Sequence, residues 1–464
     1  MTITDTDTIA AIATPPGRSG VGIVRVSGPL CTGIARQILG FDPPPRKACY
    51  SEFLANNSVI DKGIALYFQA PNSFTGEDVL ELQGHGGVFV LNDLLKATLD
   101  LGCRIARPGE FSERAFLNGK MDLTQVEAIS DLINASTEQA ARSAVRTLEG
   151  AFSDRINELV SAITELRIFL EAAIDFSDED IDFIEDGKTV EKLHHIIERT
   201  EAVFKQARLG TILQEGIKVA IAGRPNAGKS SLLNALSGRD SAIVTAIPGT
   251  TRDTLRELID IDGIPTHIID TAGLRNSDDV VEQEGVKRAR AVIEEADLVL
   301  LVIDSQSLAC NDNHLESLFQ ETRLPESVLI NNRLLVIFNK TDLLADRQFQ
   351  LPGQVTVSGS IVDAVPVSAK TGAGLESLRE KLKSAVGYST SEEGSFMARE
   401  RQLQALGRAR EFLDSALLQL QARNHLELVA EDLRQAQQNL GEITGQVTSD
   451  ELLGQIFSSF CIGK

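Results

Sequence analysis

The chain has 464 residues, 42% of them hydrophobic and 24% charged, a size and composition that suit about three globular domains and exclude wholesale disorder. It carries 45 Lys+Arg against 66 Asp+Glu, a formal charge of −21, so it is no general coat for duplex DNA. Any nucleic acid must meet a local basic patch, a partner or a bound cation.

Five cysteines (Cys31, Cys49, Cys103, Cys310, Cys461) are scattered without a CxxC, which argues against a disulfide framework or a zinc site. Met1 to Gly17 lacks the basic and apolar blocks of a signal peptide. The longest strongly apolar run, Leu298–Ile303, is far short of a membrane span and reads as a buried parallel strand. A cytoplasmic chain with no membrane partner is expected.

Residues 1–118 read as an α+β segment. Its strands are Gly22–Ser27, Gly63–Phe68 and Asp78–Leu82, and Gly84–Gly87 reads as a tight turn. From Asp122 to Ala207 the apolar period becomes helical, as in Val126, Ile129, Leu132 and Ile133, and again in Leu159, Ile163, Leu166 and Leu170. The adjacent His194 and His195 are expected on a helix, facing solvent. Asp175–Asp186 carries seven acids and no base, and a solvated loop is expected there. Residues 216–384 alternate strand and helix signals, and 396–440 are helical again. Neither helical block makes a comfortable bundle alone. The economical arrangement packs the two together with the α/β segment inserted between them. The expected domains are therefore 1–118, 119–215, 216–384 and 385–464, a multidomain α+β chain whose all-α domain comes from two separate segments.

Gly223–Ser230 fits G-x-x-x-x-G-K-[ST] after the strand Lys218–Ala222 and before a helix. In Asn226, Ala227, Gly228, Lys229, Ser230 and Ser231 the backbone N–H groups and helix N-terminus suit phosphate. Lys229 would reach the β- and γ-phosphates, and the Ser230 hydroxyl would hold Mg²⁺. Asp270, Thr271, Ala272 and Gly273 follow the strand His267–Ile269, which sets Asp270 near the magnesium and the Gly273 N–H near the γ-phosphate. Asn339, Lys340 and Asp342 follow the strand Leu334–Phe338, and the Asp342 carboxylate can accept two N–H bonds from guanine that adenine cannot supply. Ser368, Ala369 and Lys370 add a base-side loop. Four motifs in this order at strand ends resemble a Ras-like α/β GTPase domain. One position departs from the Ras pattern. Leu274 stands where Ras-type proteins carry the water-orienting Gln. Arg275, Asp278, Asp279, Glu282 and Glu284 are the nearby candidates for that work.

Motifs outside the GTPase segment extend the resemblance over essentially the whole chain. They are Thr14–Gly22 (TPPGRSGVG), Pro71–Asp78 (PNSFTGED), Glu81–Gly87 (ELQGHGG), Arg107–Asn118 (RPGEFSERAFLN) and the closing Phe457–Lys464 (FSSFCIGK). With these the chain resembles the MnmE (TrmE) family of tRNA wobble-uridine modification GTPases. The resemblance implies a folate-binding, dimerising N-terminal domain in which Arg25, Glu81, Lys120 and Lys464 contact a 5-formyl- or methylene-tetrahydrofolate. It implies a K⁺-dependent GTPase. Asn226 and the carbonyls of Thr245, Ile247 and Thr250 would ligate potassium within the loop Thr245, Ala246, Ile247, Pro248, Gly249, Thr250 and Thr251. Thr251 would join Ser230 on Mg²⁺, and Glu282 would orient the water. It further implies a homodimer working with the FAD protein MnmG, as a heterotetramer or larger complex, on carbon 5 of the tRNA wobble uridine. Cys461, at the centre of the closing motif, would act in that chemistry, and a nearby Lys464 ammonium would favour its thiolate.

The alternative is a ribosome-assembly or signalling GTPase of the same superfamily. An Era-type protein would carry a GxxG motif after its GTPase domain, and none occurs after residue 374.

Overall fold

In the computed structural model the described residues are 7–175, 188–241, 256–270, 291–308, 319, 324–344, 351–388, 396–422, 426–447 and 450–463. The chain opens with β1 (Ile9–Ile12), β2 (Ser19–Ser27), α1 (Cys31–Leu39), β3 (Cys49–Ala55), β4 (Ser58–Phe68), β5 (Val79–Gly86), α2 (Val88–Asp100), β6 (Arg104–Ile105) and α3 (Glu110–Leu117). Four helices follow: α4 (Leu123–Asn134), α5 (Glu138–Leu148), α6 (Ala151–Asp175) and α7 (Lys188–Glu215). Next come β7 (Ile217–Ala222), α8 (Lys229–Ser241, interrupted at Gly238), β8 (Arg256–Ile261), β9 (Ile264–Asp270), β10 (Leu298–Asp304), β11 (Leu334–Asn339), β12 (Gln354–Val357), β13 (Ser360–Pro366) and α9 (Leu375–Ala385). The chain closes with α10 (Glu400–Gln421), α11 (Leu426–Thr444) and α12 (Asp450–Ser458).

These elements form two compact units. One comprises Met1–Ser130, Leu148–Ile197 and Arg408–Lys464; the other comprises Asp131–Thr147 and Glu198–Gly407. The first holds a six-stranded sheet in the order β3-β4-β5-β2-β1-β6, antiparallel except for β1 beside β6. Alternation along β2 buries Val24 and Val26 under α1 and α2 and turns Arg25 to the other face. In the same unit α6 packs against α11, where Arg167 Nη1 donates to Gln437 Oε1 at 2.6 Å. The two helical blocks of the sequence do meet there. Phe457 and Phe460 bury themselves against Leu123 and Val126, and the Gly109 N–H donates to Cys461 O at 3.3 Å. Gly109 has φ +68°, and a Cβ on it would lie 2.6 Å from Phe457 O, so the start of α3 admits only glycine beneath the C-terminal segment.

The second unit holds a seven-stranded sheet in the order β12-β13-β11-β10-β7-β9-β8, parallel from β13 to β9 with an antiparallel strand at each edge. Leu298–Ile303 is the central strand expected of so apolar a run, buried on both faces.

One local expectation is corrected. Gly84–Gly87 is no tight turn: β5 runs through Gly86, and α2 begins at Val88. The glycines are there for space. A Cβ on Gly84 would lie 2.5 Å from Asp61 Oδ2, and one on Gly86 would collide with Ser19 Oγ. Among the described residues no helix is long and apolar enough to cross a membrane.

Candidate functional site

The nucleotide motifs converge at the carboxyl ends of β7, β10, β11 and β13. β7 leads into the loop Gly223–Gly228, and Lys229 opens α8. The Lys229 side chain is buried, and its Nζ donates to Gly223 O at 2.9 Å and Arg224 O at 2.8 Å. Its ammonium therefore lies inside the loop that the sequence assigns to phosphate, held by carbonyls. Gly228 has φ +92°, and a Cβ there would strike Asn339 Nδ2.

Asn339, buried at the end of β11, joins two loops. Its Nδ2 donates to Ala227 O at 3.0 Å, and its Oδ1 accepts the Ala369 N–H at 3.1 Å. Lys340 (φ +65°) donates through Nζ to Asn226 O and to Asp304 Oδ2, both at 2.7 Å. Ser368 Oγ, fully buried, donates to Asp342 Oδ1 at 2.6 Å and so orients a carboxylate that is itself partly exposed. Asp270 ends β9 in register with Ile221, beside the strand that feeds the phosphate loop. Ser230 and Ser231 lie exposed in the first turn of α8, and Lys370 lies in the Ser368 loop. Thr245, Ala246, Ile247, Pro248, Gly249, Thr250, Thr251, Thr271, Ala272, Gly273, Glu282 and Lys464 lie outside the described residues.

The other motifs gather on the six-stranded sheet. Arg25 on β2 stands opposite Glu81 on β5, with Nε to Oε1 at 3.0 Å. Arg25 Nη1 also donates to Gly463 O at 3.4 Å, so the far end of the chain reaches this site. The guanidinium carbon lies 5.6 Å from the Phe74 ring centroid and 5.7 Å from that of Phe111, a cation between two aromatic faces. Gln83 Nε2 donates to Glu81 Oε2 at 3.2 Å. Lys120 is exposed beside Gly76, in the loop that carries Phe74. Sequence reasoning missed Phe74, Phe111 and Gln83. Their signal was present: each lies inside one of the motifs quoted for the resemblance.

Cys461 lines an apolar pocket of about 760 Å³ with Ile12, Pro15, Pro16, Leu91 and Phe460. It is exposed. Burial pushes the Cys31 thiol far up and that of Cys103 up to about 12, which keeps both protonated and inert.

The motif Arg107–Asn118 serves a different end. Arg114, 7% exposed, pairs with Asp7 at 2.6 Å, Glu77 at 3.0 Å and Glu110 at 3.3 Å. Arg104 pairs with Asp7 and Glu110, each at 2.7 Å. Burial pushes the Asp7 and Glu110 carboxyls up, but the hydrogen bonds and charges of Arg104 and Arg114 at Asp7, and of Arg104 with the Arg107 backbone N–H and charge at Glu110, outweigh it and hold both below their ordinary values. The network ties α3 to the start of β1 and to the PNSFTGED loop.

Two family descriptions match the chain: "GTP-binding protein TrmE N-terminus" over residues 8–120 and "MnmE helical domain" over residues 123–461. The protein named tRNA modification GTPase MnmE from Marinobacter nauticus is 56% identical over 460 residues, covering 99% of each chain. That from Proteus mirabilis is 57% identical over 463 residues, again covering 99% of each. Among solved structures, the FeoB G-domain from Methanococcus jannaschii covers 37% of this chain and 97% of its own at 25% identity, with a TM-score of 0.25. Aquifex aeolicus Era covers 42% of this chain and 66% of its own at 24% identity, with a TM-score of 0.25. On the extent of the family and full-length matches, this chain belongs to the MnmE family of tRNA modification GTPases.

Proposed function

We propose that this chain hydrolyses GTP with the help of K⁺. With the FAD protein MnmG it would install an aminomethyl or carboxymethylaminomethyl group on carbon 5 of the tRNA wobble uridine, drawing on a folate one-carbon unit. The observation that carries the GTP reading is Asn339. Its two bonds link the phosphate loop at Ala227 to the base-side loop at Ala369, so one side chain sets the spacing a nucleoside phosphate needs. The Ser368–Asp342 bond supports guanine: a fixed carboxylate suits a base edge that offers two N–H groups.

In this reading the phosphate oxygens take Lys229 from the Gly223 and Arg224 carbonyls it now bonds. Ser230 and Thr251 hold Mg²⁺. Asn226 and the carbonyls of Thr245, Ile247 and Thr250 hold K⁺, and carbonyl oxygens are suited to replace its hydration shell. The exposed Asn226 side chain, in a loop fixed by Lys340 at its own carbonyl, fits that use. When bound, the cation supplies positive charge at the phosphates, the contribution an arginine finger makes elsewhere at ~10³–10⁵ in rate. Glu282 orients the attacking water where Leu274 cannot.

On the six-stranded sheet, Arg25, Glu81, Lys120 and Lys464 would hold the folate. Cations suit its glutamyl carboxylates, a carboxylate suits pterin N–H groups, and the partly exposed Phe74 ring suits its flat heterocycle, while the fully buried Phe111 backs the Arg25 guanidinium. Cys461, exposed in its apolar pocket, would act in the carbon transfer. A cytoplasmic homodimer paired with MnmG completes the proposal, with a folate-binding domain at 1–118, a GTPase domain at 216–384 and one helical domain made of 119–215 and 385–464.

The test is GTP turnover by the purified chain in KCl and in NaCl at matched ionic strength. Na⁺ is smaller and fits a carbonyl cage built for K⁺ poorly, so turnover should fall by at least about tenfold in sodium. Equal rates would remove the cation from the mechanism.

A further inference from the structure

Asp131–Thr147 folds in one unit with the nucleotide-binding sheet, although α6 and α7 lie between the two in the chain. Ala140 and Ala144 pack on Leu213 and Met397, and Thr137 ties the segment to the sheet's β8–β9 hairpin. Its Oγ accepts the Ala140 N–H at 3.1 Å, capping α5, and donates to Gly263 O at 2.8 Å. Gly263 is the tip of the β8–β9 hairpin. Ile261 pairs with Ile264 across a two-residue turn in which Asp262 (φ +51°) and Gly263 (φ +93°) both have positive φ. A second side chain grips the same turn: Lys383 Nζ on α9 lies 2.6 Å from Asp262 Oδ2. Thr137 is buried, so its hydroxyl sees the hairpin and the helix rather than water.

The other end of the hairpin is the nucleotide end. β9 finishes at Asp270, and β8 starts five residues after Thr251. The ribbon is roughly 20 Å long at about 3.4 Å per residue, and among the described residues β8 is one of the sheet's two edge strands, so it can shift against β9 without breaking a second ladder.

We propose that Thr137 is a positioning residue that reads the nucleotide state at the hairpin tip and passes it to α5. This rests on the GTP reading above. By linkage, whatever the nucleotide does to the tip, the tip does to nucleotide affinity in equal measure.

Hydrogen exchange on the full chain, with GDP and with GDP plus aluminium fluoride in KCl, tests this at the α5 amides. In the wild type, exchange across Glu138–Leu148 should differ between the two states by at least about fivefold. Thr137→Asp keeps a side-chain acceptor for the Ala140 N–H but has no hydrogen to donate to Gly263 O, and it sets a charge against that carbonyl. In this variant the difference should shrink to less than about twofold, with GDP affinity and α5 protection in the GDP state kept near wild type. Thr137→Ser, which retains both roles, should behave as wild type. Identical wild-type exchange in the two states would overturn the proposal, as would a Thr137→Asp chain that responds like wild type. A chain that binds no guanine nucleotide would instead overturn the GTP reading itself.

Discussion

Asp342 accepts a hydrogen bond from Ser368 Oγ, and that bond leaves the carboxylate oriented, partly exposed and beside the loop carried by Asn339. Asp342→Asn exchanges an acceptor for a donor at the guanine edge. The expected loss is ~3 kcal/mol, about 10²-fold in GTP affinity, with xanthosine triphosphate gaining in its place. A calorimetric titration with both nucleotides checks this; unchanged GTP affinity would sink the assignment of Asp342. Cys461 presents the opposite situation, an exposed thiol in an apolar pocket. Cys461→Ser should abolish uridine modification and leave K⁺-stimulated GTP turnover within about twofold, because no nucleotide motif depends on it. Both assays belong on one folded preparation. A serine variant that modifies fully, or one that loses both activities along with stability, would reduce Cys461 to packing.

At the scale of elements, the arginine–carboxylate network around α3 makes a pH prediction. Asp7 and Glu110 have folded values below their unfolded ones, so they bind fewer protons in the native state. Their contribution to stability is fully present above the unfolded carboxylate range near ~4 and is lost as pH falls through the depressed folded values. Glu110→Gln leaves Arg104 and Arg114 short of a buried counter-charge and should cost about 3 kcal/mol at neutral pH. It should also flatten the fall of Tm below about pH 4. A Tm–pH series on both proteins decides it; parallel curves would mean the network contributes nothing specific.

The same elements show what a sequence discloses. The motifs proposed for phosphate and guanine could be picked out because the chemistry assigned to them depends on short spacings: Gly223 to Ser230 is one loop, and Asn339 to Asp342 is one turn. The central strand was legible because Leu298–Ile303 is apolar on both faces. Gly84 and Gly86 were misread because glycine is the usual mark of a turn, whereas here it makes room for Asp61 and Ser19 from other strands. The Arg114 network was not legible, since its Asp7 and Glu77 partners lie 107 and 37 positions away. Thr137 was not legible either: a threonine before a helix reads only as a cap, and its second partner, Gly263, is 126 positions on.

For the molecule as a whole, charge is the informative property. Residues 1–120 hold 11 Lys+Arg against 12 Asp+Glu, while the remaining residues hold 34 against 54. Nearly all of the −21 therefore lies outside the segment that carries Arg25, Lys120 and the motifs read as folate-binding. In the proposed function an RNA phosphate backbone would meet less repulsion at that segment than over the rest of the chain taken together, and the proposed partner would supply the remaining positive surface.

In the proposed function a guanine-nucleotide site on one sheet and a carbon-transfer site on another serve the same tRNA base. Mass spectrometry of wobble uridines tests it most directly, in tRNA from cells lacking this chain, with and without the wild-type gene or its Asp342→Asn variant returned. The carbon 5 substituent should disappear in the deletion, return with the wild type, and stay absent or strongly reduced with Asp342→Asn. An unchanged modification profile in the deletion, or full restoration by a variant shown not to bind GTP, would contradict it.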